Sequence, residues 1–140
     1  MRAALLILAT LLPPCNGIFG FIGSKQTIAA TGTVACYGVP TGSVEVRLVD
    51  SGWLYDSTLA KTRTDSRGHF KLTGSTRAIL SISPAIHILH KCAYSGRCRK
   101  RIKLTIPEEY IAWSNEKPKA FNVNYVDLEK GVSDQKVACH

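Results

Sequence analysis

Residues Lys61–Gly74 read KTRTDSRGHFKLTG, and this order predicts a β-strand, a tight turn and a second β-strand. The turn falls at Asp65–Gly68, because an Asp side chain can bond the backbone two residues later and Gly tolerates a positive φ. After the turn, Phe70 and Leu72 alternate with polar residues, which is typical of a strand with one buried face. The stretch therefore indicates a protein built from short β-strands joined by tight turns.

The same alternation extends in both directions along the chain. It predicts seven strands, at about 28–36, 43–50, 58–64, 68–73, 79–90, 98–106 and 120–128. Prolines fall at the ends or bends of these segments, where a missing backbone N–H is tolerated. Seven short strands separated by turns predict an all-β protein in which two sheets pack face to face as a β-sandwich.

Four motifs follow one another along the chain. They are a C-x-G-x-P loop at Cys36–Pro40, an alternating V-x-V-x-L strand at Val44–Leu48, the turn motif at Thr64–Gly74 and a late cysteine at Cys139. In this order they resemble the nematode transthyretin-like family, over about residues 27–140. The resemblance implies a transthyretin-type two-sheet β-sandwich.

The first residues have the composition of a secretory signal peptide. Arg2 supplies a positive charge, Ala3–Leu12 is apolar but too short to span a bilayer, and small residues lead up to Gly17. No later segment has the roughly 18 consecutive apolar residues of a membrane-spanning helix, so no transmembrane segment is predicted. We therefore expect a secreted, extracellular protein with a signal peptide at 1–17, an N-terminal arm at 18–27 and one β-sandwich domain at 28–140.

Four cysteines follow the predicted signal peptide, at Cys36, Cys92, Cys98 and Cys139. An even number of cysteines in an oxidising compartment predicts two disulfides, for which three pairings are possible. The loop between Cys92 and Cys98 is short and contains Gly, which favours a disulfide across a hairpin. The second predicted disulfide is then Cys36–Cys139, between the first loop and the C-terminal tail.

No metal, cofactor or catalytic chemistry is predicted. Zinc ligation by His87, His90 and Cys92 is the sharpest alternative, but a strand would point the two histidines to opposite faces. The enzyme branch of the transthyretin superfamily, the 5-hydroxyisourate hydrolases, is marked by a C-terminal Tyr-Arg-Gly-Ser. This chain reads Val137–His140 at the matching place, so the resemblance does not extend to that activity and the protein is not expected to be an enzyme.

Charge is the main functional signal in the sequence. The formal net charge is +8, and no acidic residue lies between Asp65 and Glu108. Within this interval, a strand after Cys98 would place Arg99, Arg101 and Lys103 on one face, with no acid in the segment to offset them. The predicted anion-binding patch comprises Arg47, Lys91, Arg97, Arg99, Lys100, Arg101 and Lys103. The simpler interpretation is a solvated edge strand whose charges prevent edge-to-edge pairing.

The patch predicts an extracellular binding or bridging module for an anionic partner, such as a phospholipid head group, a cell-surface glycan or an acidic receptor. Nucleic acid is not predicted, because single-strand binding needs aromatic side chains among the cations and only Tyr94 lies nearby. The alternative is a carrier of a small hydrophobic ligand in an oligomer channel, using Ile18–Ile22 and Trp53. Either function is compatible with a homodimer.

Overall fold

The computed structural model describes residues 23–131 and 135–139, so the predicted signal peptide and the segment Ile18–Ile22 lie outside the described residues. The described part contains ten strands and one 3-10 turn at Glu108–Tyr110. The strands are β1 (Ser24–Cys36), β2 (Val39–Pro40), β3 (Glu45–Ser51), β4 (Asp56–Arg63), β5 (His69–Ala78), β6 (Pro84–His90), β7 (Arg99–Thr105), β8 (Ala112–Trp113), β9 (Phe121–Asp127) and β10 (Gln135–Ala138).

The predicted all-β class is confirmed, and each predicted strand has a counterpart. Three short strands, β2, β8 and β10, were not predicted. The strand predicted at 79–90 begins only at Pro84, and β1 already begins at Ser24, inside the predicted arm. No helix long and apolar enough to cross a membrane occurs in the part of the chain that the structure describes.

The strands form two five-stranded sheets. In sheet A, the long strand β1 lies at the centre, with β5 antiparallel along one edge and β9 parallel along the other. The short strands β2 and β8 extend these two edges. Sheet B has the order β10-β7-β6-β3-β4, and each neighbouring pair is antiparallel. The predicted two-sheet sandwich is therefore confirmed.

The core lies between the two sheets and is built from the inward positions of alternating strands. Its fully buried members are mostly β-branched or leucine side chains, and burying each one contributes roughly 1.5–3 kcal/mol. The largest of them are Ile28, Leu48, Ile86, Ile88, Ile102 and Ile106. The opposite face of most strands carries polar and charged side chains, so the pattern that builds the core also builds a charged outer surface.

The Asp65 turn has the predicted chemistry. The Asp65 Oδ1 atom accepts hydrogen bonds from Arg67 N at 2.9 Å and His69 N at 3.0 Å. Gly68 has a φ of +78°, and a Cβ there would lie 2.4 Å from Val34 O. This turn carries the chain from β4 in sheet B to β5 in sheet A, so it connects the two layers of the sandwich.

The predicted disulfide pairing is wrong. The structure has disulfides Cys36–Cys92 and Cys98–Cys139, instead of Cys36–Cys139 and Cys92–Cys98. Cys92 packs against the core beyond the end of β6, where it meets the end of β1 in the other sheet. The unpredicted strand β10 pairs antiparallel with β7, which brings Cys139 opposite Cys98. One disulfide therefore joins the two sheets, and the other fastens β10 to sheet B.

Candidate anion-binding face

Most of the charged side chains of the strands lie on the outer face of sheet B. Strand pairing places Arg47 beside His87 and His87 beside Lys103, in one row across β3, β6 and β7. Within the described residues, this face carries two carboxylates, Glu45 and Asp56, against seven cations. The cations are Arg47, Lys61, Arg63, Arg99, Arg101, Lys103 and Lys136.

Four of the predicted patch residues lie on this face, namely Arg47, Arg99, Arg101 and Lys103. The other three do not. Lys91 and Arg97 lie in the connection between β6 and β7, and Lys100 lies on the opposite face of β7. The Lys100 ammonium is 5.5 Å from the centre of the Tyr94 ring, at cation–π distance.

Three cations of the face were missed from the sequence. Lys61 and Arg63 lie at alternate positions of β4, opposite Arg47 and Glu45 of β3. The alternation of Lys61 and Arg63 is visible in the sequence of the predicted strand. The sequence does not show, however, that this strand pairs with β3. Lys136 lies on β10 opposite Arg101, and β10 itself was not predicted.

Glu45 is the first carboxylate among these cations, and only 12% of its side chain is exposed. It pairs with the Arg47 Nε atom and lies 3.3 Å from Arg99 Nη1 and 3.5 Å from Arg63 Nη2. Burial raises the pKa of Glu45, but the hydrogen bonds from Arg47 and Arg99 outweigh it and hold the pKa below its usual range. The face therefore has a fixed negative centre that orients three guanidinium groups.

Asp56 is the second carboxylate, at the start of β4. Its Oδ2 atom lies 3.3 Å from Lys103 Nζ and 2.9 Å from His87 Nε2. Burial raises the pKa of Asp56, but the hydrogen bond and charge of Lys103 lower it below its usual value. The Lys103 ammonium also donates to Ser51 Oγ, so it is held at two points.

His87 is buried under these side chains. Burial lowers its pKa from 6.5 to about 4, helped by the charges of Arg101 and Lys103 and opposed by Asp56. The imidazole is consequently neutral at physiological pH and does not add to the positive charge. It forms the floor of the face between Arg47 and Lys103.

The interpretation of the cationic row as a solvated edge strand is wrong. Strand β7 lies inside sheet B, between β6 and β10, and the edges of the sheet are β10 and β4. The side chains of Arg99 and Lys103 are only 27% and 18% exposed. The sequence interval is free of acids, but strand pairing supplies Glu45 and Asp56 from β3 and β4.

A groove of about 490 Å³ runs over this face. The cations that line it are Arg47, Arg101, Lys103 and Lys136, and its apolar lining includes Leu54 and Tyr55 from the β3–β4 turn. Several fixed cations in a concave surface attract an anion more strongly than the same cations on a flat surface. The arrangement is suited to binding an anionic group.

The zinc alternative is contradicted by the positions of its ligands. His87 lies on the outer face of β6, whereas His90 lies on its inner face, opposite Lys100. Cys92 is oxidised in a disulfide, and its backbone N–H donates to His90 Nδ1 at 3.0 Å. No group of three His, Cys, Asp or Glu side chains with metal-binding geometry occurs among the residues that the structure describes.

Comparison with known proteins identifies the family. A model of the transthyretin-like family matches residues 31–107, which is more than half of the chain. The chain belongs to the transthyretin-like family. The resemblance recognised from the sequence motifs is thus confirmed.

Several transthyretin-like proteins of Caenorhabditis elegans are similar over most of their length. Transthyretin-like protein 33 is 33% identical over 116 residues, covering 77% of this chain and 80% of the relative. Transthyretin-like protein 2 is 30% identical over 116 residues, covering 77% and 78%. Their names state a family and no enzymatic activity. Family membership and two disulfides fit a secreted protein.

Among solved structures, a 9R-lipoxygenase from Cyanothece aligns with a TM-score of 0.42 and 15% identity. The alignment covers 72% of this transthyretin-like chain and 16% of the lipoxygenase. This likeness is too low to carry any inference about function.

Proposed function

We propose that this transthyretin-like protein is a secreted binding module that engages an anionic surface partner through the outer face of sheet B. The partner classes that fit are a phospholipid head group, a sulfated glycan and an acidic receptor surface. The observation that carries the proposal is the groove on this face, whose described lining combines the cations Arg47, Arg101, Lys103 and Lys136 with the carboxylate of Asp56.

Two kinds of cation supply the face. Arg47, Arg99 and Lys103 are half-buried and held by ion pairs to Glu45 or Asp56, so their positions are fixed before a partner arrives. Lys61 and Lys136 lie at the two sides of the sheet, are exposed, and have no ion-pair partner among the described residues. The fixed cations set the local potential, and the exposed ones can move to meet an anion.

A carrier of a small hydrophobic ligand gains less support from the same face. The groove is lined by charged side chains, which bind an uncharged apolar ligand poorly because they must be desolvated. Trp53, predicted to serve in a ligand channel, is 91% exposed at the β3–β4 turn.

The test measures binding of the oxidised protein to heparin and to anionic vesicles across a salt series. The double substitution Lys61→Glu and Lys136→Glu removes two exposed cations of the face. Each Lys near an anionic surface contributes about 1 kcal/mol, so affinity should fall by at least roughly 30-fold. Binding of the unsubstituted protein should also weaken as salt rises, because exposed charges are screened.

The matched control is the double substitution Lys25→Glu and Lys71→Glu, which changes net charge equally on the outer face of sheet A. It should leave binding within a few-fold of the original. Equal losses in the two variants would show that only total charge matters, and would overturn the proposal.

Reversal of Arg99 and Lys103 themselves is a poorer test. Each lies 3.3 Å from a half-buried carboxylate, so a glutamate there would place two like charges together. Such a variant should lose stability, and a loss of binding would not be interpretable.

A further inference from the structure

Two apolar loops protrude from the described part of the sandwich. The β3–β4 turn carries Trp53, Leu54 and Tyr55, which are 91%, 72% and 73% exposed. The connection between β5 and β6 carries Ile79 and Leu80, which are 75% and 79% exposed. Scattered apolar side chains are normal on a protein surface, but a group of large ones marks an interaction site.

Hydrogen bonds place the two loops at the same end of the sandwich. Ser51 N donates to Ser83 O at 2.8 Å, and Ser83 N donates to Asp50 Oδ1 at 2.9 Å. The fully buried Gln26 side chain donates to Leu80 O at 2.9 Å and accepts from Ile82 N at 2.9 Å. The exposed side chains are therefore presented by a backbone that is held in place. We call Trp53, Leu54, Tyr55, Ile79 and Leu80 the apolar tip.

The apolar tip is continuous with the cationic groove. Leu54 and Tyr55 line the groove together with Arg47, Lys103 and Lys136. The acids nearest in sequence to the β3–β4 turn are both engaged. Asp50 accepts the hydrogen bond from the β5–β6 connection, and Asp56 pairs with Lys103 and His87. The apolar side chains thus lie at one end of the sandwich, and the cations of the groove lie next to them on the outer face of sheet B.

We propose that the apolar tip inserts into the interfacial region of an anionic phospholipid bilayer while the groove cations bind the lipid head groups. This inference rests on the proposed function and selects the lipid among its partner classes. Interfacial binding grows with the apolar area that is buried and with the attraction between cations and anionic lipid. Trp and Tyr side chains favour the level of the head groups, and the tip contains one of each.

Charge complementarity separates this partner from two others. A sulfated glycan would bind the cations but would leave the tip in water. A second copy of the chain, docked tip to tip, would bring two cationic grooves together, and like charges oppose that contact. A bilayer with anionic lipid can bury the apolar tip and bind the cations at the same time.

The test uses the oxidised protein with Trp113→Phe, which leaves Trp53 as the one tryptophan of the chain. Vesicles contain phosphatidylcholine with phosphatidylserine, or with phosphatidylglycerol, at a ratio of about 3:1, so that charge is separated from head-group identity. Trp53 fluorescence should shift to the blue and should be quenched by lipids brominated on their acyl chains.

The apolar tip is tested by the double substitution Ile79→Ser and Leu80→Ser, at two exposed residues that do not line the groove. Each change should weaken vesicle binding roughly tenfold, because an inserted aliphatic side chain returns to water. The matched control, Tyr37→Ser and Val39→Ser, removes side chains that are 70% and 65% exposed at the opposite end of β1. The control should bind vesicles as the parent does.

The outcomes distinguish this inference from the proposed function. Loss of vesicle binding in the tip variant, with heparin binding unchanged and with quenching of Trp53, supports insertion. Unchanged vesicle binding without quenching overturns insertion, and the proposed function then stands if the Lys61/Lys136 variant still loses affinity. A tip variant that only converts a dimer to a monomer assigns the tip to a second copy and overturns the membrane inference. If neither variant changes binding, both proposals fail.

Discussion

The neutral state of His87 has a measurable consequence for stability at mildly acidic pH. Burial, with the charges of Arg101 and Lys103, lowers the pKa of this residue from 6.5 to about 4. The unfolded chain binds a proton at His87 as the pH falls below 6.5, whereas the folded chain stays unprotonated until about pH 4. The folded state therefore loses stability as the pH falls through this interval.

The expected size follows from the same two pKa values. One pKa unit corresponds to about 1.4 kcal/mol, so His87 should remove about 2 kcal/mol of unfolding free energy between about pH 7.5 and about pH 5. Glu45 and Asp56 do not contribute in this window. Their pKa values are held below 4.5 and 3.8, so their contribution to stability is lost only at lower pH.

The assay is denaturant unfolding of the oxidised protein at the two pH values, for the parent and for His87→Gln. Burial also lowers the pKa of His90, but that residue is present in both proteins and cancels in the comparison. The variant should lose about 2 kcal/mol less than the parent over this pH range. Equal losses, or a His87 ring that titrates near 6.5 by NMR, would refute the assignment of a buried neutral imidazole.

Four further outcomes are expected for the oxidised protein. Glu45→Gln should reduce the unfolding free energy at neutral pH by about 1.5–3 kcal/mol, because it removes a carboxylate bonded to charged donors; an unchanged denaturation midpoint would contradict this. Gln26→Leu should cost about 2–4 kcal/mol, because it leaves the buried Ile82 N–H and the Leu80 carbonyl without their partner; a neutral effect would show that the connection rearranges. Gly68→Ala should cost at least about 1 kcal/mol, since its positive φ and the approach of Val34 O disfavour a Cβ, and a stabilised variant would refute that geometry. Non-reducing peptide mapping should recover the two disulfides described above, and a peptide joining the two cysteines of the β6–β7 connection would disprove them.

The sandwich could be predicted because its signals are local. The alternation of Phe70 and Leu72, the Asp65 side chain and the positive φ of Gly68 all act within a few residues. Short strands carry no such signal: β10 spans Gln135–Ala138, too few residues to show a period. The disulfides were predicted wrongly for this reason, since the partner of Cys98 depends on where β10 pairs.

The candidate site was only half predictable, because its charges meet across strands. Alternation correctly placed Arg99, Arg101 and Lys103 on one face of β7. Their partners Glu45 and Asp56 come from β3 and β4, and the bonds from Arg99 to Glu45 and from Lys103 to Asp56 span 54 and 47 residues. A single sequence does not give the strand order that joins them. Cations that lie in an acid-free interval of the sequence are therefore ion-paired in the fold.

Strand order also decides which cations of this face can meet a partner. An interior strand with three cations on one face is self-repelling, and Glu45 and Asp56 offset that repulsion where the side chains are half-buried. The same ion pairs make the central cations part of what stabilises the fold. The flanking lysines on β4 and β10 and the residues of the apolar tip do not have this structural role, since their side chains are exposed. In the proposed function, stability therefore depends on the centre of sheet B and recognition on its margins. Substitutions at the margins should change binding without unfolding the sandwich.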